Sequence, residues 1–224
     1  MASVPIGQTC GPPAGQMLLA CVRDHGSASH PYGSSGELLA GPHSTRNLAD
    51  AIHFLCALHG RHPGVIELVA ARTVEAPARA WLAEASEGFG GERAFLARLA
   101  VEAGPVPATP GGGGEATISM QRNAIITLAQ SERRGCAVGA ALALAADWVV
   151  IRRVLDSAAA RFGVSVPRPW PGSAEELAGL ADELGESGPV RRALLFGAEQ
   201  VALQHRGLWD LLHARQLARG PRPA

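Results

Sequence analysis

Thr117–Arg161, TISMQRNAIITLAQSERRGCAVGAALALAADWVVIRRVLDSAAAR, decides the fold. It contains no proline, and from Gly135 to Ile151 it is apolar except for Asp147. Ile118, Ile125, Leu128, Ala129, Cys136, Gly139, Ala143 and Val150 recur at the spacing of a helix that turns one face to a core. The pattern predicts one long central helix, with Glu132 interrupting its apolar stripe. The apolar run is shorter than the ~20 residues needed to cross a bilayer and carries a carboxylate, so it reads as buried core.

Outward from this stretch the chain offers further helices. Ser44 or Thr45 can cap a helix to about His59, whose apolar face is Leu48, Ala51, Ile52, Leu55 and Leu58. Asp50 and His53 then fall on the opposite face, where they resemble a D-x-x-H metal pair, although such a spacing is more often a helix-surface salt bridge, and Asp210 and His213 repeat it. Gly60 ends this helix and Pro63 suits the first turn of the next, which extends to about Ala103. Pro77 and the Gly88–Gly91 run are expected to bend or divide it.

Residues 104–114 (GPVPATPGGGG) can only be a loop, long enough to cross a bundle. Residues 164–172 (VSVPRPWPG) read as a rigid turn that packs Trp170 on a helix end. Ser173 followed by Glu176 is a capping-box signature for a helix to about Leu184, and a last helix runs from Val190 to about Ala218. Residues 1–43, rich in Gly, Pro and Ser, read as an irregular arm with one short helix at Gly15–Arg23, and 220–224 as a disordered tail. With no strand candidate, the expected fold is all-α: an up-and-down helical bundle formed by residues 44–219 as one domain.

Composition removes several functions. Acidic and basic residues balance at 20 each and aromatic residues make up 4%, so neither a basic field nor stacking platforms point to nucleic acid. All the basic residues are arginine, as in a GC-rich bacterial genome. Without lysine there is no P-loop, no kinase strand lysine, no pyridoxal Schiff base and no Ser-x-x-Lys hydrolase. Cys10, Cys21, Cys56 and Cys136 have no C-x-x-C spacing, and Cys136 lies on the central apolar stripe as a small hydrophobe. No secretory signal is evident, which gives the expectation of a cytoplasmic protein.

Four polar residues stand on otherwise apolar helical lines: His59, Glu75, Glu132 and His205. Isolated charge is costly in a low dielectric, so these residues either satisfy one another, hold a metal, or sit at rims where water and arginine meet them. Long antiparallel helices with a crossover and inward acids and histidines resemble the ferritin-like superfamily of di-iron carboxylate proteins. On that resemblance Glu75 and Glu132 stand for the single inward glutamates, and His59 and His205 for the histidines, although no Glu-x-x-His occurs in the chain. The resemblance implies a metal-binding protein or oxidoreductase using iron or another divalent metal. A haem-type ligand on His59 or His205 is a further alternative.

The residues by themselves, lacking any strong catalytic motif, point to a non-catalytic binding or interaction domain without cofactor. Its partner would be a small apolar ligand, another protein, or a second copy in a homodimer. The sharpest positional expectation is that Glu132 and His205, each mid-stripe, face one interior closely enough to interact.

Overall fold

The computed structural model describes residues 11–109, 114–170 and 172–220. Cys10, most of the expected arm's first third, the glycines 111–113 and the tail from 221 lie outside them. Among the described residues nine helices follow one another: α1 (Ala14–His25), α2 (Gly36–Leu39), α3 (Ser44–His59), α4 (Val65–Ala70), α5 (Ala76–Glu102), α6 (Glu115–Ala129), α7 (Cys136–Phe162), α8 (Ala174–Leu184) and α9 (Gly188–Ala218). Two single-turn 3-10 segments, Ser27–Ser29 and Pro31–Ser34, join α1 to α2, and there is no strand among the described residues. The all-α expectation holds.

α7 is the axis. Val138–Ala145 is buried without interruption, because α1, α3, α5, α6 and α9 all pack around it. A helix that is apolar on every side must be surrounded in this way. Its tightest neighbour is α9. A Cβ placed on Gly139 would overlap the Leu194 carbonyl, and one on Gly197 would overlap that of Cys136, so the two backbones touch where the glycines meet. None of the described helices is long and apolar enough to cross a membrane.

The central stretch is not one helix. α6 ends at Ala129, a polar turn follows, and α7 starts after Gly135, whose φ of 91° lies in the left-handed region that glycine alone enters freely. Glu132 sits in that turn, so the stripe it seemed to interrupt does not run through it. The longest described helix is therefore α9, at 31 residues against 27 for α7.

Pro77 opens α5 rather than bending a helix, as its missing N–H allows in a first turn. Gly88–Gly91 leave α5 unbroken. Gly88 instead makes room for the Trp170 indole, which lies on the middle of α5 and not on a helix end.

Within the expected N-terminal arm the short helix at Gly15–Arg23 is present as α1, and residues 27–39 are mostly short helical turns rather than irregular chain. Leu18, Val22, Tyr32 and Leu38 belong to the main core, and α1 packs on α8 and α9. Asp50 was expected at the surface, yet it is buried. Leu212 is buried as the stripe predicts, while Leu128 is only half-buried.

Candidate functional site

α7 carries its single interior carboxylate, Asp147, into contact with two other parts of the chain. The first is the turn after α1. Ser27 donates its backbone N–H to Asp147 at 2.9 and 3.1 Å and its hydroxyl at 2.6 Å. Gly26 permits this approach, since a Cβ there would press on the carboxylate. The second is α9, where His205 Nδ1 lies 2.6 Å from Asp147 Oδ2.

A carboxylate only accepts, so the proton on this contact belongs to His205 Nδ1. On the far side of the ring, His205 Nε2 meets His59 Nε2 from the last turn of α3 at 3.0 Å, a contact that holds one proton. The result is a continuous chain, Ser27–Asp147–His205–His59, drawn from four separate segments.

This chain is sealed. His205 is 0% exposed, Asp147 1% and His59 5%. The His59 ring stands edge-on to Trp148 and Phe89. Burial first, then the neighbouring His205 and Arg93, hold its pKa well below the ordinary value of 6.5. His59 is thus neutral in the fold.

Ser, His and Asp are the members of a hydrolytic triad, but the wiring differs. The Ser27 hydroxyl is bonded to the carboxylate and not to an imidazole, so His205 is not in position to activate it. Both ring nitrogens of His205 are engaged inside the core, which leaves none to hold a haem.

Trp148 and Arg152, one turn apart on α7, extend a second polar chain toward α5. Trp148 Nε1 donates to Glu92 at 3.0 Å, and Arg152 donates to Glu92 at 2.7 Å. The Trp170 backbone N–H completes the set, which ties the 164–170 stretch to the core. Arg152 also reaches Asp156 and the Pro167 carbonyl. Trp148 touches His59, so the two chains share one aromatic partner.

Of the four residues singled out from the sequence, the structure brings His59 and His205 together and leaves the acids elsewhere. Glu75 precedes α5 and pairs with Arg134 at 3.0 Å. Glu132 has a 92% exposed side chain, 3.7 Å from Arg72. The four-residue carboxylate–histidine set is therefore not assembled, and Asp147 takes the place expected of Glu132. Among the described residues no group of three His, Cys, Asp or Glu side chains is placed to share a metal ion.

Asp147 was visible in the sequence as the lone charge in an apolar run. Glu92 carried no such signal, because it stands beside glycines and an arginine.

A cavity of about 430 Å³ lies away from this sealed interior, between α3, α6 and the crossover. Phe54, Ala57 and Ile118 give it apolar walls, Val106–Thr109 border it, and Arg215 reaches it from α9. Arg215 and Arg219 both pair with the buried Asp50, and both donate to the Pro107 carbonyl, so they strap the crossover to the bundle. His53 adds a 2.7 Å contact to the Gly104 carbonyl. The Asp210/His213 spacing also resolves differently, with Asp210 on His30 and His213 stacked on Tyr32.

Cys21, Cys56 and Cys136 are free. Burial, with Glu199 and Asp24, pushes the Cys21 thiol up to about 11, and burial raises Cys56 too, so neither is poised as a nucleophile.

The chain belongs to DUF6975, a family of unknown function whose model matches residues 22–220. No curated protein and no solved structure matches it.

Proposed function

We propose that this domain is a non-catalytic binding module that takes a small, largely apolar molecule in the cavity between α3, α6 and the crossover. The observation that carries this reading is the cavity itself, about 430 Å³, with Phe54, Ala57 and Ile118 on its walls. That volume falls in the range of small-molecule sites, which pair apolar walls with a few polar groups. The sealed histidine chain supports the non-catalytic half of the reading, because a substrate has no path to His205. A cytoplasmic setting fits as well, since the three described thiols stand unpaired.

The test is titration with N-phenyl-1-naphthylamine, a neutral probe whose emission rises in apolar surroundings. Saturable binding by the wild type and its loss in Ala57→Trp, which fills the cavity, is the expected result. An Arg79→Gln control, exposed at the start of α5, should bind normally. Absence of saturable binding, or full binding by Ala57→Trp, would end this reading.

A further inference from the structure

The cavity between α3, α6 and the crossover joins apolar walls to a buried cation. Arg215 lines it beside Phe54, Ala57 and Ile118, with a side chain only 9% exposed. Its guanidinium carbon lies 4.7 Å from the centre of the Phe54 ring, so the charge sits directly against an apolar wall. Nε and Nη2 hold the group in place through Asp50 and the Pro107 carbonyl. Nη1 donates to none of the described residues, and it is not sealed off as Arg219 Nη1 is.

Asp50 does not neutralise this cation alone. It also carries Arg219, whose side chain is 2% exposed, so two buried guanidinium groups share one carboxylate. Buried charge is stable when paired, and one counter-charge is still owed here. Glu115, the acid on the cavity wall, does not supply it. It is exposed in the first turn of α6, where water screens it and the helix N-terminus already favours it.

The hydroxyl on the wall has the same preference. Thr109 Oγ1 accepts from Arg219 Nε at 2.9 Å and Nη2 at 2.5 Å, which occupies its lone pairs and leaves its O–H to donate. Arg215 and Thr109 therefore both present donors to the cavity.

We propose that the ligand of this cavity is a small apolar carboxylic acid, bound as its anion, with its hydrocarbon part on Phe54, Ala57 and Ile118 and its carboxylate on Arg215 and the Thr109 hydroxyl. Two donors match two carboxylate oxygens, whereas a phosphate would leave a third oxygen against apolar walls. The assignment rests on the reading of the cavity as a small-molecule site and adds the class of ligand.

The experiment compares 2-naphthoate with 2-naphthamide, which has the same shape and no charge, by calorimetric titration at neutral pH and fixed ionic strength. The wild type should bind the carboxylate about tenfold or more tightly than the amide, the worth of one charge-assisted hydrogen bond. Ala57→Trp should block both ligands. Arg215→Gln, with its fold checked by circular dichroism, should bring the two affinities within about twofold of each other. Arg79→Gln should leave the preference unchanged, as a remote surface change does. If Arg215→Gln fails to fold, the wild-type preference and its loss in Ala57→Trp carry the test. Equal affinity for acid and amide would overturn this proposal and leave the binding site standing. Failure of both ligands and of N-phenyl-1-naphthylamine to bind would remove the site itself. Tight naphthoate binding that persists in Ala57→Trp, or a preference that survives in folded Arg215→Gln, would also overturn the proposal.

Discussion

Replacing Asp147 tests whether the buried chain holds the fold together. In Asp147→Ala, three donors lose their acceptor: the Ser27 N–H, the Ser27 hydroxyl and His205 Nδ1. The hydroxyl can rotate to another partner. The backbone N–H and the imidazole nitrogen cannot, and each buried orphan costs ~1–3 kcal/mol. The lost carboxylate atoms also leave a small void beside Gly26. The expected loss is therefore ~3–5 kcal/mol, as for breaking other buried pairs.

Asp147→Asn should cost less, ~1–3 kcal/mol. The amide keeps the shape, and reversing both imidazole tautomers lets its N–H face a His205 lone pair. Urea unfolding followed by circular dichroism at 222 nm measures both, against a total of ~5–15 kcal/mol for a domain. A loss under ~1 kcal/mol for Asp147→Ala would refute the reasoning, since it would mean that water already satisfies these donors.

Further outcomes follow from other parts of the structure. His59 has a folded pKa below its unfolded value of 6.5, so the unfolded chain takes up a proton that the native one refuses as pH falls. Stability should drop from pH ~6.5 toward the folded pKa by up to ~1.4 kcal/mol per unit, and His59→Gln should flatten unfolding curves in that window. Equal slopes in both proteins would count against a neutral buried His59. Gly197→Ala forces α9 off α7 and should cost ~1–3 kcal/mol or more by urea unfolding; a neutral result would show that the helices separate freely. Asp50→Ala strands Arg215 and Arg219 and should lose ~3–5 kcal/mol, while Glu132→Ala, at the surface, should stay within ~0.5. The reverse order would place Asp50 outside and Glu132 inside.

How much was legible depended on the kind of residue. His59 and His205 were found as polar residues on apolar lines, because each lies mid-face on a helix with correct phase. Glu132 was misplaced because the periodicity was carried straight through residues 130–135, where α6 has already ended at Ala129 and α7 has not begun. Asp50 was misplaced by the width of the apolar arc. Its helix is covered on one side by the core and on the other by α9 and the crossover, so a face without apolar residues still lost its water.

Local chemistry by itself determined the helices and the strand-free class. Apolar spacing, the Ser173 cap, the proline at the head of α5 and the glycines at the breaks act within a few residues of each other, and those distances are written in the chain. Tertiary structure alone decided which polar groups share an interior. Ser27, Asp147, His205 and His59 come from four segments up to 178 positions apart (205 − 27). Their meeting depends on the glycine contacts of α7 with α9 and on the seating of the N-terminal turn against α7. Those are packing outcomes, set by rotations of whole helices that no sequence period records.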